Sequence, residues 1–214
     1  INRLGQLLHM PAEDIRKRLK EETDFTYLKR QISPQMAQQV EALDLPGVNT
    51  QTEYRRYYPG GAGMAHVVGF VGIDGQGQEG LELSCQADLR GTPGRREVIR
   101  DRKGSIIDDV QDMRLPQHGK DLVLSIDSGL QYFTFKRLRE AVEKHQAKSG
   151  SVIVMDGKTG EILAMANYPS FNPNNRETFT PERLRNRAVT DLFEPGSVMK
   201  PITVGLALEK HVVK

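Results

Sequence analysis

The stretch from Asp121 to Ala166 constrains the fold more than any other part of the chain. Asp121-Leu122-Val123-Leu124-Ser125-Ile126 is an apolar run of strand length. Asp127 follows, and its carboxylate can accept from the unpaired N–H groups that open a helix. Leu130, Thr134, Leu138 and Val142 then recur four apart, with Phe133 and Ala141 beside them, so the predicted helix turns one stripe toward a core. Ser151-Val152-Ile153-Val154-Met155-Asp156 and Glu161-Ile162-Leu163-Ala164-Met165-Ala166 are two further strands, joined at Gly157-Lys158-Thr159-Gly160. Strands and a one-faced helix here, with helices upstream, read as an α+β fold.

Upstream the pattern is different. Pro11-Ala12-Glu13-Asp14 opens a helix with Ile15 and Leu19 on one face, and a second helix after Ser33-Pro34 carries Met36, Ala37, Val40 and Leu43. Residues 49–80 are rich in glycine and predict extended segments with tight turns. A helix is expected from Leu81 to about Leu89, stopped at Gly91. Glu97–Asp101 and Ser105–Asp108 flank Arg102-Lys103-Gly104 as a β-hairpin. The pattern changes around Leu115-Pro116-Gln117-His118-Gly119, which places a domain boundary between residues 1–114 and 115–214.

Composition narrows the function classes. The 214 residues include 30 basic and 28 acidic side chains, a net charge of +2, which leaves no electrostatic footprint for nucleic acid. Arg95-Arg96 and Arg183-Leu184-Arg185-Asn186-Arg187 read as solvated faces. Five scattered histidines and one cysteine predict no metal site and no cofactor; Cys85, in a helix, reads as a small buried residue. No apolar run reaches membrane-spanning length and no signal peptide opens the chain. Both ends of the sequence, Ile1 and Lys214, read as cuts in something longer.

The chemistry lies close to the C-terminal end, in Glu194-Pro195-Gly196-Ser197-Val198-Met199-Lys200-Pro201. Ser197 stands at the predicted start of a helix and Lys200 one turn on, on the same face. A lysine held neutral in that position can take the proton of a serine hydroxyl, which activates the nucleophile without histidine. The S-x-x-K spacing alone is weak, since a chain of this length gives roughly one chance match. Pro201 removes an N–H early in the helix and is expected to bias Lys200 away from helical geometry.

The flanking blocks make the spacing specific. Arg56-Tyr57-Tyr58-Pro59, His66-Val67-Val68-Gly69-Phe70, Gly77-Gln78-Glu79-Gly80-Leu81-Glu82 and Asp101-Arg102-Lys103-Gly104 precede Leu124-Ser125-Ile126-Asp127 with Leu130-Gln131. Gly160-Glu161-Ile162-Leu163-Ala164-Met165-Ala166-Asn167 and Asn186-Arg187-Ala188-Val189-Thr190-Asp191 then lead into the S-x-x-K segment. Together, in this order, they resemble a class B penicillin-binding protein, a peptidoglycan transpeptidase. Phe193-Glu194-Pro195-Gly196-Ser197 and Asn172-Pro173-Asn174-Asn175 resemble the cell-division, or septal, branch more than the elongation branch.

The resemblance implies a non-catalytic pedestal, a dimerisation-type domain, over residues 1–114. It implies the first part of a transpeptidase domain of serine β-lactamase-like fold over 115–214. Ser197 would attack the D-alanyl-D-alanine end of a stem peptide, its backbone N–H forming half of an oxyanion hole, with Lys200 as general base. Peptidoglycan stem peptides, β-lactam antibiotics and other cell-division membrane proteins are the partners it implies. The location it implies is the periplasmic side of the bacterial inner membrane, on an N-terminal membrane helix that is not in this sequence. Arg56, Tyr58, His66 and Glu79 are expected to have structural roles, Glu79 as a cap or salt bridge near its turn.

The sequence departs from the family in one respect. The family's later S-x-N and K-T-G motifs follow the nucleophile. Here Ser170-Phe171-Asn172 and Lys158-Thr159-Gly160 precede Ser197, and they read as loop and turn residues. This stretch alone is therefore expected to be inactive and to leave apolar surface uncovered. Two other classes remain open: a pedestal that docks division proteins, with residues 59–80 as its surface, and a penicillin-sensing receptor or serine β-lactamase. The long segment before Ser197 argues against the β-lactamase.

Overall fold

The computed structural model describes residues 1–20, 25–95, 98–100, 106–109 and 114–213. They fall into two compact units, Ile1–Arg56 and Tyr57–Lys214. The expected division at 114/115 lies inside the second.

The first unit is helical. Helices α1 (Asn2–Leu8), α2 (Ala12–Leu19) and α3 (Pro34–Glu41) enclose Leu4, Leu8, Ile15 and Val40, with Met36, Leu43 and Leu45 packed against them. Ser33 caps α3, its hydroxyl accepting from the Met36 N–H at 3.2 Å. Leu19, expected on the buried face of α2, is 52% exposed, because the helix ends at that residue, beyond the reach of the core that holds Ile15.

The second unit opens with a departure from the expected extended backbone. Gly61–Val68 is a helix, α4. Its glycines carry little intrinsic helix preference, but Gly63 lies against the Phe135 ring, where an added Cβ would stand 3.6 Å from the ring. Helix formation here follows from packing rather than from local propensity. Gly69 ends α4 with φ 78° and ψ −151°, a region open only to glycine, and a Cβ there would fall inside the Glu79 carbonyl. Strands β1 (Phe70–Val71) and β2 (Gly77–Glu79) then form the short hairpin that the glycine punctuation predicts.

The single helix expected over 81–89 is two, α5 (Gly80–Ser84) and α6 (Gln86–Arg90), broken where Cys85 adopts φ −108° and ψ 20°. Cys85 is half-buried rather than buried. Gly91 ends α6 as expected, at φ 66°. Strands β3 (Val98–Arg100) and β4 (Ile106–Asp109) pair antiparallel, and the expected turn Arg102-Lys103-Gly104 lies outside the described residues. Isolated bridges Thr92–Gln117 and Arg95–Arg114 draw the arms of this excursion together, and the Lys120 N–H donates to the Asp88 carbonyl at 2.8 Å.

The core of the second unit is helix α7 (Ser128–Lys144) on the antiparallel pair β5 (Gly150–Met155) and β6 (Ile162–Tyr168). Asp127 caps α7 as predicted, accepting from the Leu130 N–H at 2.7 Å. Thr134, Leu138 and Val142 are buried, and Leu138, Val142 and Ala166 form a cluster with Phe135, Val152 and Tyr168 against it. The stripe runs through Gln131 and Phe135; Phe133 and Ala141 face outward. In the connecting turn the Asp156 carboxylate accepts from the Lys158 and Thr159 N–H groups at 2.7 and 3.0 Å. Those two bonds, Thr159 first, hold its pKa below the usual carboxylate range.

Asp121–Ile126 is not a strand. Val123 is 97% exposed. The run meets β6 only at its end, where Ser125 Oγ donates to the Ile162 carbonyl at 2.8 Å and the Asp127 N–H to the Leu163 carbonyl at 2.9 Å. An apolar run becomes a strand only where a neighbour accepts its whole ladder. Short helices α8 (Pro181–Leu184) and α9 (Arg187–Thr190) follow, then a 3₁₀ turn, Gly196–Met199, and helix α10 (Lys200–Glu209).

Candidate active site

Ser197 lies in the 3₁₀ turn and Lys200 is the first residue of α10. The Lys200 N–H donates to the Ser197 carbonyl, closing the turn. Residues three apart in a 3₁₀ turn are eclipsed, so this backbone stacks position 200 over position 197 more directly than an α-helix would. Gly196, at φ 54°, reverses the chain into the turn.

Lys200 keeps helical dihedrals, φ −59° and ψ −44°, against the bias expected from Pro201. Pro201 sits in the first turn of α10, where the N–H it lacks would have no intrahelical acceptor. Among the described residues no hydrogen bond joins Ser197 Oγ to Lys200 Nζ, and both residues are exposed. No residue of α10 is buried. Ile202, Val204, Leu206 and Leu208 present apolar surface, which matches the expectation of an uncovered face.

The segment that leads to this turn is held by polar contacts that sequence reasoning did not single out. Asn167, buried at the end of β6, accepts through Oδ1 from Ser151 Oγ at 2.9 Å and from the Ala188 N–H at 2.7 Å. Its Nδ2 donates to Asn186 Oδ1 at 2.9 Å. Asn186 Nδ2 in turn donates to the His66 carbonyl at 3.3 Å. Asp191 closes the segment, taking Arg187 Nη1 at 3.0 Å and Arg185 Nε at 2.6 Å. Burial opposes its ionisation, but the hydrogen bonds from Arg187 and Thr190 and the charges of Arg185 and Arg187 outweigh it and hold the pKa below the usual range.

His66 has the structural role expected of it. The ring is buried edge-on to Phe171, and Nε2–H donates to the Arg183 carbonyl at 2.7 Å. Burial pushes its pKa below the usual imidazole value; the Arg183 carbonyl opposes this and the Arg187 charge adds to it. Tyr58 is also structural: its hydroxyl accepts from the Val71 N–H at 2.9 Å. Asn174 reaches back to it, donating to the Tyr58 carbonyl at 2.8 Å and accepting from its N–H at 2.9 Å. Glu79 precedes α5, and of the cap or salt bridge expected of it the capping bond is not made. Arg56 closes the first unit.

Both look-alike motifs serve the scaffold. Lys158-Thr159-Gly160 is the β5–β6 turn, and Ser170 Oγ donates to the Ala62 carbonyl at 2.8 Å beside a buried Phe171. Gln131 stands in the sequence within the Leu130-Gln131 block. It is buried, with Nε2 donating to the Gly63 and Met165 carbonyls at 2.6 and 2.8 Å and Oε1 accepting from the Met165 N–H at 2.8 Å. Polar amides inside apolar blocks, such as Asn167 after Ala164-Met165-Ala166, were the available signal.

Among the described residues no group of histidine, cysteine or carboxylate side chains could hold a metal ion, and no helix is long and apolar enough to cross a membrane.

Comparison with known proteins adds a second kind of observation. Residues 1–124 match the family described as penicillin-binding protein dimerisation domain, and residues 150–214 match the penicillin-binding protein transpeptidase domain. The chain is 45% identical over 212 residues to a probable peptidoglycan D,D-transpeptidase PenA of Neisseria gonorrhoeae, covering 98% of this chain and 36% of that protein. It is 44% identical over 213 residues to the peptidoglycan D,D-transpeptidase FtsI of Escherichia coli K12, covering 99% and 36%. The chain thus spans about a third of the length of these relatives. Among solved structures, a peptidoglycan synthetase from Bifidobacterium adolescentis is similar over 99% of this chain and 39% of its own, with TM-score 0.64 and 26% identity. Penicillin-binding protein 3 of Mycobacterium tuberculosis, solved with ampicillin, is similar over 73% of this chain and 31% of its own, with TM-score 0.61 and 35% identity.

Proposed function

This chain belongs to the penicillin-binding proteins, and on that premise we propose that it is part of a septal-type serine D,D-transpeptidase that cross-links peptidoglycan stem peptides. The observation that carries the reading is the 3₁₀ turn that stacks Lys200 over Ser197, inside the stretch matched by the transpeptidase family. Ser197 attacks the carbonyl between the two terminal D-alanines. Its proton passes to Lys200 and from there to the departing nitrogen, so the terminal D-alanine leaves as a free amine and an ester to Ser197 remains. An amine of a second stem peptide displaces the serine oxygen and forms the cross-link. A β-lactam follows the first half of this path, and its opened ring stays on Ser197. The Ser197 N–H supplies one oxyanion donor.

In this reading the pedestal, residues 1–114, positions the catalytic domain, and other division proteins are its partners. The parent protein works on the periplasmic face of the inner membrane. The exposed, unlinked state of Ser197 and Lys200 supports an inactive 214-residue stretch.

The test is intact mass after exposure to penicillin, with the adduct mapped. The full-length protein gains one penicilloyl mass on Ser197, Ser197→Ala gains none, and the 214-residue chain gains none. An adduct elsewhere, or none on the full-length protein, would sink the proposal.

A further inference from the structure

Upstream of Ser197, the last hydrogen bonds to other elements, among the described residues, are those of Asn186 and Ala188 with Asn167 and His66, and Asp191 then closes the segment on its own Arg185 and Arg187. Beyond it Leu192 is fully exposed and Phe193 nearly so, and the 3₁₀ turn follows. Where Ser197 stands therefore depends on where residues 186–191 are held. That segment crosses the end of the β5–β6 pair, and Asn167 is the group that receives it.

The two strongest acceptor directions of Asn167 Oδ1 are used by Ser151 of β5 and by the Ala188 N–H of α9. Its amide nitrogen donates to Asn186, whose own nitrogen continues to the His66 carbonyl on α4. One buried side chain thus joins β5, β6 and α9, and its neighbour extends the link to α4. An apolar residue of this size would fill the volume but leave the Ala188 N–H and the side-chain oxygen Oδ1 of Asn186 without their Asn167 partner. A partly satisfied buried network is worse than none, and the segment would shift to rehydrate those groups.

We infer that Asn167 and Asn186 are positioning residues for the acylating serine: they clamp residues 186–191 onto the end of the sheet and so set the approach of Ser197 to its substrate carbonyl. The inference rests on the reading of Ser197 as nucleophile. Neither asparagine touches the reacting atoms. Their effect falls on the acylation step rather than on prior non-covalent binding, since misplacement of a nucleophile by about 1 Å costs on the order of 100-fold in rate.

The experiment uses the full-length protein and a fluorescent penicillin, with rapid mixing to separate non-covalent binding from the acylation rate, and thermal unfolding alongside. Asn167→Ala is expected to slow acylation roughly 10- to 100-fold with the binding constant unchanged. Asn186→Ala, half-exposed and easier to accommodate, gives a smaller slowing of the same step and serves if Asn167→Ala does not fold. Leu138→Ala removes core packing under the same sheet without touching the network. It is expected to lower the unfolding temperature while the folded protein acylates at the normal rate. Normal acylation by both asparagine variants, or equal slowing by Leu138→Ala, overturns the inference. Ser197→Ala keeps the two questions apart: if it still becomes acylated, the reading of the nucleophile fails, and not the role of Asn167.

Discussion

Replacing Gln131 with leucine tests how the second unit is held together. Among the described residues, strand β6 pairs with β5 on one edge only. At Met165 the other edge is closed by the Gln131 side chain, whose amide accepts from the Met165 N–H and donates to the Met165 carbonyl at 2.8 Å each, as a neighbouring strand would. The same nitrogen reaches the Gly63 carbonyl of α4 at 2.6 Å. Leucine has nearly the same volume, so the change isolates the polar term. Gly63 lies inside α4 and its carbonyl faces the α-helical ladder; the two Met165 groups are the ones stranded. At about 1–3 kcal/mol for each buried, unsatisfied group, Gln131→Leu should cost about 2–6 kcal/mol. Urea unfolding followed by circular dichroism gives the loss, and native-state hydrogen exchange should show the Met165 amide losing protection first. Tyr132→Ala, on the exposed side of the same helix, should stay within about 0.5 kcal/mol. A Gln131→Leu protein as stable as the parent, with Met165 still protected, would refute the edge-closing role.

Gly69→Ala should be among the most damaging small substitutions, at about 3 kcal/mol or more, since both the backbone region and the Glu79 carbonyl exclude a Cβ. Gly157→Ala, with open space around it, should be nearly neutral in the same unfolding assay. Asp127→Ala removes the cap of α7 and should cost about 0.5–2 kcal/mol by chemical denaturation. His66 carries a pH dependence. Burial depresses its folded pKa, so below the ordinary imidazole pKa the unfolded chain binds a proton that the folded one refuses. Its contribution is complete above about pH 6.5 and is lost as the pH falls below that value. Unfolding midpoints between pH 7.5 and 5.5 should therefore drop in the parent and drop less in His66→Gln. Lys200→Ala in the full-length protein should slow acylation by about 100- to 10,000-fold without preventing folding, read by penicillin-adduct mass against time.

The sequence by itself determined the elements whose causes are local. Asp127 caps α7 because an aspartate ahead of an i, i+4 stripe needs no distant partner. Ser33 caps α3 for the same reason. The β5–β6 hairpin follows from two apolar runs of matched length across Gly157–Gly160, and the Ser197–Lys200 spacing is a matter of four consecutive residues. The family was also legible, because several blocks occur together in one order.

Tertiary structure alone decided the rest. Gly61–Val68 is a helix because Phe135 and Gln131 receive it, against the preference of its glycines. Asp121–Ile126 is not a strand because only its end meets β6. Phe133 faces outward while Gln131 is buried, since a stripe drawn by hydrophobicity cannot show that a strand edge at Met165 needs an amide. Asn186 and Asn174 look alike in sequence to any loop asparagine, and the apolar block before Asn167 marks it as a buried amide without naming its partners. Their partners lie 16 to 120 residues away, and a hydrogen bond over that separation has no local signature. What a residue prefers can be read along the chain; what it satisfies depends on which groups folding brings beside it.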